Sequence, residues 1–314
     1  MEILTHDDVL SRLSPAAAVE ALRAALIQGF DPATDPARTK VPLVRGEMHL
    51  LPSSMPGVSG VKILAIQPAD HRPDLPLIQG QYLLIDGETL TPYSLLDGTA
   101  LTTLRTPAVS LAGVKGQLIR DDEPLRAVIL GTGAQGRGHA RTIESVLDGV
   151  RPVSITFIGR QQPTDLGHPW EEAGSTGAAD SLANARLVVC ATTASEPILT
   201  ISDVHPAATV IAVGSHTNDA RELASDLMGA AHVIVEDVGA ALREAGDVTL
   251  AIADGALDQR DLIAMKAVVT GEVELAADRP VVFKTVGMPW EDLVVADAVQ
   301  RARAERVPAD TSLS

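Results

Sequence analysis

The sequence predicts an α/β protein with a doubly wound parallel sheet and a second, mixed α+β domain. The first observation is a series of short apolar runs that alternate with helical stretches between residues 125 and 284. This alternation is the order that β-α-β units require. The second is composition, because apolar residues make up 46% of the 314 residues and aromatic residues only 2%. Cores of Ala, Val, Leu and Ile suit parallel strands buried on both faces.

Three segments follow one another along the chain. Residues 1–115 predict a mixed domain with a helix capped at Ser14, strands over 60–66 and 81–85, and a turn at Asp86–Thr89 between two strands. Residues 116–287 contain the alternating strands, predicted over 125–130, 153–158, 187–191, 209–213, 232–235 and 281–284. Residues 288–314 contain one helix, which cannot form a domain alone. We expect this tail to complete the first domain.

A glycine-rich turn directly follows the strand over 125–130. Residues 131–136 read Gly-Thr-Gly-Ala-Gln-Gly, and a helix follows to about residue 147. In a Rossmann domain Gly131 permits the tight turn, Gly133 lets the backbone approach a pyrophosphate, and Gly136 allows close helix–strand packing. The N-terminus of the helix attracts phosphate charge. The turn therefore predicts a bound nicotinamide dinucleotide, and the alternative is a glycine-rich turn without a ligand.

The end of the next strand bears on which dinucleotide is bound. An acidic side chain there binds the ribose 2′-hydroxyl of NAD(H). This sequence has Arg160 at that place. A guanidinium can pair with a 2′-phosphate by charge and bidentate hydrogen bonds. Arg160 therefore favours NADP(H), while NAD(H), or an arginine that is merely solvated, stays an alternative.

The net charge of −16 argues against nucleic acid and anionic membranes as partners. No signal peptide or membrane-spanning run is evident, so we expect a cytoplasmic protein. No metal site is predicted, because the histidines are scattered and Cys190 is the single cysteine.

A small anionic substrate would need placed cations in the first domain, and the candidates are Arg38, Arg45, Lys62 and Arg105. Strand alternation puts Lys62 on one face of its strand and Val61 and Ile63 on the other. The residues alone leave open whether Lys62 faces solvent or a pocket.

Residues 101–108, Leu-Thr-Thr-Leu-Arg-Thr-Pro-Ala, resemble a signature of the ornithine cyclodeaminase/mu-crystallin family. Other segments of the family pattern recur in order along nearly the whole chain: Pro36–Arg38, Leu51–Pro52, Gly60–Lys62, Leu95–Gly98, Gly131–Gln135, Thr192–Pro197, Val213–His216, Arg221–Leu223 and Phe283–Gly287.

The resemblance implies a nicotinamide-dependent enzyme that acts on an amino or imino acid, usually as a homodimer. By the family pattern, Arg38 and Arg105 bind the substrate carboxylate and Lys62 lies beside the reacting nitrogen or carbonyl. The predicted cofactor-binding residues lie at the glycine turn, after the next strand and at two later strand ends: Gly131, Gly133, Ala134, Gln135, Gly136, Arg160, Thr192 and Val213.

Two positions differ from ornithine cyclodeaminases. Those enzymes carry an aspartate in the loop after Gly214, where alignment on Glu222 places His216 in this chain; Asp219 is three residues further on. Arg160 is the second difference, because cyclodeaminases that recycle NAD tend to have an acidic residue there.

Both differences favour a ketimine reductase that reduces a cyclic imino acid such as Δ1-pyrroline-2-carboxylate, with Lys62 and His216 as catalytic residues. The alternatives are a cyclodeaminase, an amino-acid dehydrogenase or a non-enzymatic NADP(H)-binding protein.

Overall fold

The structure is a computed structural model that describes residues 1–68, 74–215 and 217–306. The chain divides into two compact units. The first consists of Met1–Phe30, Thr34–Arg105 and the chain from Met288 onward. The second consists of Asp31–Ala33 and Thr106–Gly287. The division at Arg105 lies inside a continuous helix, upstream of the boundary expected near residue 115.

The first unit is built on a mostly antiparallel sheet. Its elements are, in chain order, β1 (Glu2–Leu4), α1 (His6–Arg12), α2 (Pro15–Ile27), β2 (Thr39–Pro42), β3 (Glu47–Met55), β4 (Val58–Ile66), β5 (Ile78–Asp86), β6 (Pro92–Asp97) and α3 (Gly98–Leu118). The strand order is β1-β6-β5-β4-β3-β2, and only β1 and β6 pair in parallel. The predicted cap is confirmed, because the Ser14 side chain accepts a hydrogen bond from the Ala17 amide.

The second unit is a parallel sheet with helical connections, as the apolar runs predict. Its elements are β7 (Leu125–Leu130), α4 (Ala134–Leu147), β8 (Val153–Gly159), β9 (Trp170–Glu172), α5 (Thr176–Asn184), β10 (Leu187–Cys190), β11 (Thr209–Ala212), α6 (Ser225–Ala230), β12 (His232–Val235), α7 (Val238–Glu244), α8 (Gly246–Ala253), β13 (Ile263–Ala264), α9 (Met265–Val269) and β14 (Val281–Lys284). The short strands β9 and β13 are not predicted, because β9 contains two acidic residues among its three and β13 is only two residues long.

The strand order of this sheet fixes where a ligand can bind. The order is β13-β12-β14-β11-β10-β7-β8-β9, with every pair parallel. From β7 the chain runs outward through β8 and β9, and then returns to β10 on the other side of β7. Ligands of open α/β sheets bind at the carboxyl ends of the strands where the order reverses in this way. In this unit that place lies between the ends of β7 and β10.

The last helix, α10 (Pro289–Arg306), belongs to the first unit, where it packs on α2 and on strands β3, β4 and β5. The strand β4 turns its lysine toward the buried face of the sheet and an isoleucine away from it. Lys62 is 0% exposed, whereas Ile63 is 39% exposed. This assignment answers the question that alternation alone leaves open.

No helix in the described part of the chain is long and apolar enough to cross a membrane.

Candidate active site

The glycine turn between β7 and α4 is packed closely against backbone atoms at Gly131 and Gly136, and it is open at the start of the helix. Gly131 has a φ of +108°, and a Cβ there would lie 2.3 Å from the carbonyl oxygen of Ala191. A Cβ on Gly136 would lie 2.0 Å from the carbonyl oxygen of Gly131. Gly133 is the N-cap of α4, and a Cβ there would meet no atom within 4 Å. The turn therefore combines tight packing with an open approach to the first amides of α4, as a pyrophosphate requires.

Two arginines, Arg137 and Arg160, lie close to this turn. Arg160 is exposed directly after β8. Arg137, in the first turns of α4, donates from Nε to the carbonyl oxygen of Thr132 at 3.2 Å and from Nη1 to the carbonyl oxygen of Asp165. Arg137 thus ties the glycine turn to the loop that follows β8, and this loop carries Arg160.

A buried carboxylate joins the ends of β10 and β11. Glu222 Oε1 accepts hydrogen bonds from the backbone amide and the hydroxyl of Thr192, both at 2.8 Å. Its Oε2 accepts the amide of Gly214 at 2.7 Å. Burial raises the pKa of Glu222, and the charge of Lys284 opposes this effect. The predicted cofactor contacts Thr192 and Val213 therefore lie on strand ends that one side chain holds together.

A second buried acid completes this network. Asp247 Oδ1 accepts the amides of Glu222 and Leu223 at 2.7 and 2.8 Å. Its Oδ2 lies 3.0 Å from Lys284 Nζ, which also donates to the carbonyl oxygen of Ser215 at 2.5 Å. None of these three charged side chains is predicted as a site residue from the sequence, although Glu222 and Lys284 lie in segments of the family pattern.

In the first unit, two of the predicted cations lie together. Lys62 Nζ is 2.6 Å from Asp292 Oδ2, and Arg105 Nε donates to Asp292 Oδ1 at 3.2 Å. Arg105 Nη1 also donates to Glu291 Oε2 at 3.0 Å. Glu291 and Asp292 are both 0% exposed. Two buried cations thus face two buried carboxylates at the start of α10.

The surroundings of Lys62 disfavour its charged form. Burial lowers the pKa of Lys62 to about 8, and the positive charge of Arg105 adds to this effect. The negative charge of Asp292 acts in the opposite direction. An amine with a pKa near the working pH is suited to proton transfer.

Two further polar groups lie near this cluster. Asp35 accepts hydrogen bonds from Ser53 Oγ at 2.6 Å and from the Trp290 amide at 2.7 Å. Burial nevertheless raises its pKa to about 6. Tyr82 is paired with Lys62 across the β4–β5 ladder, and burial raises the pKa of its phenol well above the usual value. In the described ranges the Tyr82 hydroxyl has no hydrogen-bonding partner.

The remaining predicted residues are less closely defined. Arg38 is half-buried in the segment that leads into β2. His216 lies outside the described residues. Asp219 is exposed, and a hydrogen bond with Thr217 lowers its pKa. The predicted roles of these three residues stay predictions.

Comparison with known proteins gives a match over almost the whole chain. The model of the ornithine cyclodeaminase/mu-crystallin family matches residues 1–306. The chain belongs to this family. The Δ1-pyrroline-2-carboxylate reductase of Bacillus cereus is 28% identical over 87% of this chain and 88% of its own length. The ketimine reductase mu-crystallin of Mus musculus is 30% identical over 84% of this chain and 83% of its own length.

A solved structure with the same fold is that of Δ1-pyrroline-2-carboxylate reductase from Thermococcus litoralis, in complex with NADH and L-proline. Its TM-score is 0.84 at 23% identity, over 97% of this chain and 98% of that chain. Together with the family match, this likeness confirms the predicted fold class of a Rossmann sheet within an ornithine cyclodeaminase/mu-crystallin chain.

Proposed function

We propose that this protein reduces a cyclic imino acid, such as Δ1-pyrroline-2-carboxylate, to the corresponding amino acid with a nicotinamide cofactor. The observation that carries the proposal is a fully buried lysine, Lys62, with a pKa lowered to about 8, beside the buried guanidinium of Arg105. The curated relatives that are reductases of such imines support the same assignment.

In the proposed reaction the side chains of this protein protonate the imine nitrogen and bind the substrate carboxylate. A bound nicotinamide supplies the hydride that adds to the imine carbon. Lys62 keeps the imine nitrogen protonated, because an ammonium with a pKa near 8 is charged at neutral pH and still able to release a proton. Arg105, together with Arg38, binds the substrate carboxylate, since guanidinium forks match carboxylate geometry. The substrate is thereby oriented for hydride addition to one face.

NADP(H) is the proposed preferred cofactor. The open approach at Gly133 and the first amides of α4 fit a pyrophosphate. Arg160 directly follows β8, where an NAD-binding chain would carry a carboxylate, so its guanidinium would pair with a ribose 2′-phosphate. Thr192 and Val213, held at the ends of β10 and β11, would contact the rest of the dinucleotide.

A homodimer is the proposed assembly, and the first unit offers an apolar surface for it. The face of the sheet away from α10 carries one apolar row across five paired strands: Ile3, Leu95, Leu83, Val61 and Pro52. Ile3 at the end of this row is 67% exposed. The other four residues are half-buried, and a contiguous, partly exposed apolar surface of this kind marks interaction sites. Light scattering should give twice the chain mass, and Ile63→Glu on the same face should shift it toward the monomer.

Cofactor oxidation with a panel of cyclic imino acids tests the reaction directly. We expect NADPH to be consumed with Δ1-pyrroline-2-carboxylate, and the amino acid to appear in equal amount. Release of ammonia from ornithine with catalytic NAD would instead indicate a cyclodeaminase. Tight nucleotide binding without turnover on any tested imine would contradict an enzymatic role.

Lys62→Met tests the role of the buried amine. The variant should lose turnover by at least about a hundredfold, the range that general acid–base catalysis contributes. It should still bind NADPH, since the glycine turn lies in the second unit. Lys40→Met, on the exposed side of β2, is the matched control. A Lys62→Met variant with wild-type turnover would remove this residue from the mechanism.

Arg160→Ala tests the cofactor preference. Loss of hydrogen bonds to a charged group should raise KM for NADPH about tenfold or more, and leave KM for NADH nearly unchanged. Arg126→Ala is the control, because Arg126 is an exposed side chain at the opposite end of the sheet, near the start of β7. Equal use of both cofactors, unaltered by Arg160→Ala, would contradict the NADP(H) preference.

A further inference from the structure

Asp292 contacts both predicted active-site cations of the first unit at once. One of its oxygens lies 2.6 Å from Lys62 Nζ, and the other accepts from Arg105 Nε at 3.2 Å. The neighbouring carboxylate differs in its contacts. Glu291 uses one oxygen for Arg105 Nη1 and the other for the Met288 amide at the start of α10. Of these two buried acids, Asp292 alone joins the lysine to the arginine.

Because this cluster is buried, the contact with Asp292 strongly affects the stability of the charges on Lys62 and Arg105. Lys62 and Asp292 are both 0% exposed, and Arg105 is 7% exposed. Water therefore cannot compensate a charge that loses its neighbour, and such a charge is costly. We propose that Asp292 is a positioning residue, which fixes Lys62 against Arg105 through its two oxygens and holds the Lys62 ammonium in its charged form.

The groups that face Lys62 come from three elements. Arg105 on α3 is positive and disfavours the ammonium, whereas Asp292 and, more weakly, Glu291 on α10 favour it. Tyr82 on β5 is the cross-strand neighbour, and its raised pKa keeps the phenol neutral. Removal of the Asp292 charge would therefore remove the stronger of the two negative charges that favour the Lys62 ammonium, while the positive charge of Arg105 that disfavours it stays.

This inference deepens the proposed function and rests on it for its catalytic meaning. A reductase that protonates its imine through Lys62 needs the ammonium form at the working pH. Without the charge of Asp292, Lys62 would lose its proton at lower pH, and the alkaline limit of activity would move in the same direction. Asp292 would thus set the upper pH limit of turnover without touching substrate.

Direct titration of Lys62 tests the electrostatic part without any need for turnover. The chain has five lysines, at 40, 62, 115, 266 and 284, so ¹³C labelling of lysine side chains gives few NMR signals. Lys62→Met assigns the signal of interest. In Asp292→Asn the Lys62 midpoint should fall by at least about one pH unit. Glu291→Gln is the matched control and should move it by less than half as much.

The pH profile of kcat/KM tests the catalytic part. The alkaline limb of Asp292→Asn should move down with the NMR midpoint, and the limb of Glu291→Gln should stay near the wild-type position. An unmoved Lys62 midpoint in Asp292→Asn, or an equal movement in Glu291→Gln, would overturn the inference. A moved midpoint in a protein that reduces no imine would support the role of Asp292 and contradict the proposed function instead.

Asp292→Asn buries an uncompensated cation, so its folding needs a separate measurement. The double variant Lys62→Met/Asp292→Asn completes a double-mutant cycle. Because the two side chains are in contact, we expect it to lose less stability to urea than the sum of the losses in the two single variants. Losses that simply add would overturn the pairing.

Discussion

Lys284 and Asp247 form an ion pair of 3.0 Å in which both side chains are fully buried. The pair lies beneath the ends of β11 and β14, and Lys284 is also bonded to the carbonyl oxygen of Ser215. Through Asp247 the pair reaches the backbone of Glu222, which in turn holds Thr192 and Gly214. The strand ends that we propose for cofactor binding therefore depend on the balance between one buried cation, Lys284, and two buried carboxylates, Asp247 and Glu222.

Lys284→Met should destabilise the protein strongly. It would leave Asp247 and Glu222 buried without their cation, and breaking a buried pair in this way costs about 3–5 kcal/mol. Urea unfolding followed by circular dichroism measures the change. Lys40→Met, at an exposed position of β2, should stay within about 0.5 kcal/mol of wild type. A Lys284→Met variant as stable as this control would show that the ion pair contributes little.

Glu222→Gln should weaken cofactor binding. The substitution replaces one carboxylate oxygen with an NH2 group, whose N–H donors would face the backbone N–H of Thr192 or of Gly214. These donors would then have no acceptor, and unpaired buried donors cost about 1–3 kcal/mol. We expect lower stability and a higher Kd for NADPH, measured by calorimetry. Glu196→Gln, in the loop after Thr192, has an exposed side chain and serves as the control. Wild-type affinity in Glu222→Gln would mean that the strand ends keep their geometry without this carboxylate.

The glycine turn offers a matched pair of substitutions. Gly136→Ala should destabilise the fold by about 2 kcal/mol, because its Cβ would lie 2.0 Å from a backbone oxygen that cannot easily move. Gly133→Ala should cost less than about 1 kcal/mol, since its Cβ meets nothing within 4 Å. Gly133→Ala should instead raise the Kd for nucleotide by about tenfold, because the methyl group takes the space of the pyrophosphate.

Thermal unfolding and a nucleotide titration of both variants separate the two roles. The reverse outcome, a stable Gly136→Ala and a Gly133→Ala that binds nucleotide normally, would contradict this interpretation of the turn.

His139 should make the protein sensitive to acid. It is fully buried between the carbonyl oxygen of Gln135 and the hydroxyl of Ser110, and burial lowers its pKa from 6.5 to about 4. Below pH 6.5 the unfolded chain binds a proton that the folded chain does not, so the free energy of unfolding falls as pH decreases toward 4. His139→Gln should reduce this fall by up to about 3 kcal/mol.

Urea unfolding at a series of pH values between 7 and 4 measures the effect of His139. His6→Gln, on α1, is the control and should follow the wild-type curve, because His6 has an exposed side chain. If His139→Gln also follows that curve, proton binding at His139 does not control acid unfolding.

The parallel sheet could be predicted from the sequence because most of its strands are short, largely apolar runs. Leu125–Leu130 and Leu187–Cys190 are recognisable without any knowledge of their neighbours. The strand β9 could not be predicted, since Trp170–Glu172 is too short and polar to show a period and pairs only with the end of β8. The predicted hairpin turn at Asp86 was correct, because the Asp86 side chain accepts the amides of Glu88 and Thr89 within a local segment.

The charged residues of the candidate site were predicted in part. The sequence marks Lys62 as unusual among aliphatic neighbours, yet it cannot show which face of β4 is covered. Glu291 and Asp292 were missed because acidic residues in the first turn of a helix are ordinary and usually exposed. Their burial depends on α10 packing against the sheet, a contact between segments more than two hundred residues apart. The one available signal was the apolar sequence on both sides of these two acids.

The carboxylates that balance Lys62 lie on α10. Residues 106–287, which make up nearly all of the second unit, lie between Lys62 and this helix in the chain. During synthesis the strands around Lys62 are made before residues 106–287, and Asp292 is added after them. Until then the lysine has no acid to match its charge in a closed core. The first unit can therefore reach its final packing only after the second unit has been translated, so all strands of the parallel sheet are present in the chain before the core around Lys62 can close.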